Sequence, residues 1–288
     1  MARARTLVRH RAGVLAAATA AALTLTGTAT ASAEPVVPPA SAAPPVSAGP
    51  ADTAAAEATG TRESAVLPAP APELATSRPR GHDVSSHQES VDWSASRANG
   101  ARFVYVKATE STDYRSPYFA GQYADARKAG LIRGAYHFAR PDRSSGARQA
   151  AHLVRHGGGW QADGWTLPPA LDIEDNPYSE KQTCYGLSKD RLVSWIRSFS
   201  DEIKRETGRR PVIYTTTQWW EQCTGNSRAF SSSHPLWIAH HGTARPGTLP
   251  GGWRYWTFWQ YGIKGALPGD QNLFNGSLTR LGVLARGR

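Results

Sequence analysis

Asp172 and Glu174, in the stretch Pro169-Ala170-Leu171-Asp172-Ile173-Glu174-Asp175, are the side chains of this sequence whose type and spacing best suit chemistry. On a β-strand, alternation puts both on one face and Ile173 on the other, with the two acids about 6.6 Å apart along the strand. Their carboxyl groups can then approach the separation of roughly 5–5.5 Å at which two acids cleave a glycosidic bond with retention. Two carboxyls so close inside a protein do not ionise equally, and the one with the raised pKa can donate a proton. The competing reading is a solvated turn acid or an arginine-paired structural acid. Two further acids occupy comparable places. Asp83 lies in Gly81-His82-Asp83-Val84-Ser85, and Asp270 precedes Gln271-Asn272-Leu273-Phe274. Aromatic residues fall at the same strand ends: Tyr136 and Phe138, Tyr214, Trp237, and Trp259 with Tyr261. Each alone reads as core. As a set beside acids they read as a groove for sugar rings, whose C–H faces stack on aromatic faces.

Elements that would carry these residues can be traced from periodicity. Short apolar runs at 82–85, 103–108, 132–138, 170–174, 212–215, 236–239, 256–261 and 272–274 read as strands. Helical patterns occupy 91–99, 117–129, 144–156 and 188–207. In the last, Leu192, Trp195, Ile196, Phe199 and Ile203 form one apolar face, Ser188 caps the start, and Gly208 with Pro211 marks the stop. Alternating strands and helices imply parallel pairing through crossover helices. From Leu236 onward there is no room for full helices. The expected fold is therefore a single α/β catalytic domain, an incomplete TIM-like (β/α)5(β)3 barrel. In such barrels the working residues sit at the C-terminal ends of the strands.

The 288 residues do not all belong to that domain. Residues 1–33 carry a basic start, an Ala/Leu/Thr run and the triplet Ala31-Ser32-Ala33, the layout of a secretory signal peptide rather than of a membrane span. Residues 34–79 are rich in Ala and Pro and lack Trp, Tyr, Phe and Cys, which reads as a disordered linker or a pro-segment. The barrel is assigned to 80–288. The chain's net charge of +10 suits an anionic polymer such as a cell wall. Export and the lack of a Lys/Arg-rich tract argue against nucleic acid, and no membrane association is expected after signal removal. Cys184 and Cys223, in an exported domain, are expected to form a disulfide. His152 and His156 have the spacing of a zinc helix, but the adjoining Glu is missing from His152-Leu153-Val154-Arg155-His156. No metal or cofactor is expected, and the protein is expected to be a monomer.

The domain resembles glycoside hydrolase family 25, the barrel muramidases. The resemblance rests on five segments in order: Gly81-His82-Asp83-Val84-Ser85-Ser86-His87-Gln88, Val106-Lys107-Ala108-Thr109-Glu110, Gly134-Ala135-Tyr136-His137-Phe138, Leu171-Asp172-Ile173-Glu174, and Trp259-Gln260-Tyr261 with Asp270-Gln271-Asn272. It departs at Ser111, where the family usually has Gly, and at Gly269, where it usually has Val. The resemblance implies hydrolysis of the β-1,4 bond from N-acetylmuramic acid to N-acetylglucosamine in the glycan strands of peptidoglycan. It implies Glu174 as proton donor, Asp172 as second carboxylate, and Asp83 and Asp270 as further acidic site positions. Lys107, Glu110, Tyr136, Phe138, Tyr214, Trp237, Trp259 and Gln260 are the expected substrate-binding residues. The nucleophile stays open between Asp172 and the substrate's own N-acetyl group. A non-catalytic glycan-binding barrel and a glycosidase of other specificity, such as a chitinase, are the alternatives. The acid ladder usual in chitinase barrels is absent here.

Overall fold

Inward- and outward-facing residues alternate along each strand, and the sheet that results closes on itself. The computed structural model describes residues 78–287. The expected signal peptide, and the expected linker apart from Arg78 and Pro79, lie outside the described residues. In chain order the elements are β1 (Arg80–Val84), α1 (Trp93–Ala98), β2 (Ala101–Glu110), β3 (Tyr114–Arg115), α2 (Phe119–Lys128), β4 (Ile132–Phe138), α3 (Gly146–Leu153), β5 (Ala170–Asp172), α4 (Lys189–Thr207), β6 (Val212–Thr216), α5 (Thr217–Thr224), β7 (Leu236–Ala239), β8 (Phe258–Gly262), β9 (Asp270–Phe274) and α6 (Leu278–Arg286). The sheet runs β1-β9-β8-β7-β6-β5-β4-β2-β3, and a β1–β2 pairing closes it into a barrel, with β3 as a short hairpin outside the ring. Helices α1 to α5 fill the first five barrel crossovers, and none separates β7, β8 and β9. This is the expected (β/α)5(β)3 arrangement.

Two features lie beyond the sequence pattern. First, β9 pairs antiparallel with both β8 and β1, while the other neighbouring barrel strands are parallel. Reversal of β9 brings its first residue, Asp270, to the end of the barrel where the parallel strands finish. Second, α5 starts directly after β6. Its sequence Thr-Gln-Trp-Trp-Glu-Gln-Cys-Thr is too short and too aromatic to show helical periodicity. Thr216 nevertheless caps it by accepting from Trp219 N, and Trp219, Trp220 and Cys223 are buried.

Inside the barrel, Phe103, Tyr105, Val212, Tyr214, Trp237 and Phe258 pack in one cluster with Leu281 and Ala285 of α6. Because β9 is reversed, α6 follows at the N-terminal end of the parallel strands and caps the interior there. Gly134 is needed for this filling, since a Cβ there would come 2.3 Å from the Tyr105 ring. Outside, α4 buries the predicted face, and its Trp195 donates to Ser144 O at the start of α3 at 2.7 Å. Among the described residues no helix is long and apolar enough to cross a membrane.

Cys184 and Cys223 form the disulfide, with 39 residues of separation and Cα atoms 5.3 Å apart. It ties the segment after β5 to α5. Thiol titration of the unfolded, unreduced protein is expected to find neither cysteine free. Replacing both with Ala is expected to lower unfolding stability by about 3–4 kcal/mol on the chain-entropy account of a loop this long, measured by denaturant melts.

Candidate active site

The C-terminal ends of the parallel strands surround a cavity of about 270 Å³. Asp83 of β1, Lys107 of β2, Tyr136 and Phe138 of β4, and Asp172 of β5 line it. So do Glu174, Tyr214 of β6, Trp237 of β7, Gln260 of β8 and Asp270 of β9. Regular β5 pairing stops at Asp172, two residues short of the expected strand end. Ile173 N still donates to Tyr214 O at 3.0 Å, so the extended alternation persists and Glu174 faces the cavity with Asp172.

Two carboxylate pairs occupy the mouth. Asp83 and Asp270 are direct cross-strand partners in the β1–β9 ladder, the placement at which like charges repel. Amide donors sit between them. Gln260 Nε2 donates to Asp83 Oδ2 at 2.9 Å and to Asp270 Oδ2 at 3.3 Å, and Asn272 Nδ2 donates to Asp83 Oδ2 at 2.7 Å. The amides are themselves oriented: Tyr214 OH donates to Gln260 Oε1 at 2.9 Å, His241 Nε2 lies 2.7 Å from the same oxygen, and Trp237 Nε1 donates to Asn272 Oδ1 at 2.7 Å. Burial, reinforced by the charge of Asp270, pushes the Asp83 pKa up to about 7. Burial raises that of Asp270 as well.

The second pair is Asp172 and Glu174. Asp172 is only 7% exposed, and its Oδ1 is buried without a donor. Burial, then the neighbouring Glu174, holds its pKa well above the carboxylate range. Glu174 is pushed up to about 7, first by burial and next by Asp175, with Lys107 opposing. Two acids that cannot both be charged keep one proton between them near neutral pH. That is the equipment of a general acid beside a second carboxylate.

Two expected binding residues lie elsewhere. Glu110 does not line this cavity. It lies in an adjoining depression of about 580 Å³ that shares Lys107 with it. There Lys107 Nζ meets Glu110 Oε2 at 2.8 Å, Tyr178 donates to the other Glu110 oxygen, and the Arg140 guanidinium stacks on the Tyr178 ring at 3.9 Å. Trp259 is a correction. Phe258 and Gln260 point inward, so alternation turns Trp259 outward, where it packs on Trp256 and Tyr261 and donates to His240 O at 2.9 Å. The ring nitrogens of His152 and His156 contact backbone carbonyls, Tyr114 O at 3.3 Å and His152 O at 2.7 Å respectively.

The two departures from the family pattern have local consequences. Ser111 sits at φ 51, in the left-handed region that favours glycine. At Gly269 (φ 70) a Cβ would come 2.0 Å from Asp83 O, so this backbone has no space for a side chain beside the acid. Residues that motif reading had not singled out are Asn272 and His241, which serve the Asp83–Asp270 pair, and Tyr178. Asn272 carried a signal, since it lies two residues after Asp270 and so on the same strand face. His241 and Tyr178, on segments without periodicity, carried none.

An α/β barrel whose mouth holds proton-retaining carboxylates among aromatic side chains defines the glycoside hydrolase class of enzyme. The chain belongs to glycosyl hydrolases family 25, whose model matches residues 82–270. It is 46% identical over 211 residues to an N,O-diacetylmuramidase of Chalaropsis sp, covering 72% of this chain and 99% of that protein. It is 47% identical over 215 residues to lysozyme M1 of Streptomyces globisporus, covering 73% of this chain and 72% of that one. Among solved structures, a muramidase from Acremonium alcalophilum superposes with a TM-score of 0.71 at 53% identity, covering 73% of this chain and all of that one.

The buried carboxyls make stability depend on pH. Asp83 keeps its proton in the fold up to about pH 7, whereas in the unfolded chain it loses it near pH 4. Its contribution to stability is therefore full below about pH 4 and is lost as pH rises through about 7. Asp83→Asn keeps the acceptor oxygen and removes the charge. Thermal melts are expected to show the variant's Tm falling less between pH 5 and 8 than that of the unsubstituted protein, ending a few degrees higher at pH 8.

Proposed function

We propose that this chain is an exported muramidase that hydrolyses the β-1,4 bond between N-acetylmuramic acid and N-acetylglucosamine in peptidoglycan, with retention. The observation that carries this reading is the Asp172–Glu174 pair, buried in the barrel mouth and holding a proton near neutral pH. The muramidases and lysozymes to which the chain is similar support the choice of substrate, and its net charge of +10 suits an anionic wall.

Glu174 gives its proton to the glycosidic oxygen as the bond from that oxygen to the anomeric carbon breaks. The carbonyl oxygen of the substrate's N-acetyl group attacks the same carbon, forming a cyclic oxazolinium ion. Asp172 orients the amide and balances the developing positive charge. Water then loses a proton to the Glu174 carboxylate and adds to the anomeric carbon, which restores the N-acetyl group and re-protonates Glu174. Two inversions give net retention. Lys107, 2.8 Å from Glu110 and on the cavity wall, keeps a positive charge near both acids. Tyr136, Phe138 and Trp237 offer ring faces for the sugars.

Glu174→Gln removes the proton and keeps the shape. Turbidity assays on purified walls are expected to show a rate loss of roughly 10²–10⁴-fold, with unchanged melting and wall binding. A variant retaining more than a tenth of the original rate would place the acid elsewhere. Asp172→Asn separates the two routes. If the N-acetyl group attacks, this variant is slow but active, and a fluorinated slow substrate leaves no sugar on the unsubstituted protein. A stable adduct mapped by mass spectrometry to the peptide containing Asp172 would make Asp172 the nucleophile. Mass spectrometry of the digested peptidoglycan also names the bond cut, since muramic acid at the new reducing end is the expected product.

A further inference from the structure

Next to the carboxylate pair lies a buried phenol with no partner. Tyr185 is 3% exposed, and its hydroxyl meets no donor or acceptor among the described residues. Its backbone sits at φ 58, a left-handed conformation that a bulky residue rarely adopts. Several ties hold it there. Its neighbour Cys184 is bridged to Cys223 of α5, and its own N–H donates to Gln182 O at 2.7 Å. The same turn is fastened to the chain leaving the catalytic strand. Asn176, two residues past Glu174, donates from Nδ2 to Gln182 O at 3.2 Å and from its N–H to Thr183 O at 3.3 Å. From the other side, Trp219 Nε1 of α5 donates to Thr183 O at 3.2 Å. A strained residue over-determined by its surroundings is a mark of function rather than of packing alone.

The second unpaired atom is Asp172 Oδ1, also buried and without a donor. Leaving a buried hydroxyl and a buried carboxylate oxygen both unpaired is costly, and native interiors seldom do it without cause. The two groups complement each other, one an O–H donor and the other an acceptor. They are also within electrostatic reach. Burial first, then the fields of Asp172 and Glu174, raise the pKa of the Tyr185 phenol, so it remains protonated and able to donate.

We propose that Tyr185 is a positioning residue for Asp172, supplying the hydroxyl donor that Asp172 takes up when it is the charged member of the pair. This inference rests on the muramidase reading given above. Its consequence concerns where the shared proton sits. A donor to Asp172 favours its carboxylate form and so leaves the proton on Glu174, the residue that must deliver it. Tyr185 touches no reacting atom and acts only through Asp172.

Tyr185→Phe tests this, because it keeps the ring and its packing and removes only the hydroxyl. On solubilised peptidoglycan the expected result is a fall in kcat of roughly tenfold or more, as for loss of a hydrogen bond to a charged group. KM and Tm should stay unchanged. The acidic limb of the pH–rate profile should move to higher pH, since the pair then gives up its first proton less readily. Unchanged kcat with an unmoved limb would overturn the proposal. So would a lower kcat that comes with a lower Tm and an unmoved limb, which marks a packing role. Failure of the underlying reading looks different: the unsubstituted protein would then release no muramic acid reducing ends, and both readings would go.

Discussion

Desolvation of carboxyl groups is the constraint on which the working end of this molecule depends. Asp83, Asp172, Glu174 and Asp270 are drawn together into one barrel mouth. A buried charge is tolerated only with compensation, and a carboxyl without it keeps its proton instead. The structure treats its two pairs differently. Asp83 and Asp270 are given amide donors from Gln260 and Asn272, and those amides are locked in turn by Tyr214, His241 and Trp237. Asp172 is given none. The first pair is a supported scaffold, and the second is left poised to exchange a proton.

That division follows from the barrel's construction. Parallel strands deliver their C-terminal residues to one end, which accounts for Asp83, Lys107, Phe138, Asp172 and Tyr214. The carboxyl contributed by Asp270 needs a strand running the other way, because Asp270 begins its strand instead of ending it. Once β9 is reversed, Asp270 falls opposite Asp83 and Asn272 falls opposite Gln260. The same reversal places α6 against the interior aromatic residues at the opposite end. One change of strand direction thus completes the site and closes the core.

The rim is held by longer-range ties. Lys107 connects the catalytic cavity to the depression containing Glu110, Tyr178 and Arg140. Tyr178 is 59% exposed and yet oriented, with its hydroxyl on Glu110 and its ring under Arg140. It follows Glu174 on the segment that later reaches Cys184, so the disulfide and the hydrogen bonds of Asn176 restrain a loop that would otherwise move independently of the barrel. Loops carry function where a rigid frame holds them.

Local pattern was enough for some of this. Alternation in the stretch from Ala170 to Glu174 put two acids on one face, and strand–helix alternation followed by helix-poor strands gave the (β/α)5(β)3 barrel, because periods of two and of 3.6 are properties of the backbone alone. The five motif segments carried the family. Other features depended on residues distant in sequence. The facing of Trp259 depended on which side of β8 closes the core, and its motif position pointed the wrong way. Helix α5 is fixed by burial of Trp219 and Trp220 and by its cap, not by periodicity. The partnership of Asp83 with Asp270, the amide relay through Gln260 and Asn272, and the pairing of two unsatisfied atoms at Asp172 and Tyr185 are contacts between separate segments. Hydrogen-bond partners and the cost of burial are set by what surrounds a side chain, and only the closed barrel determines that.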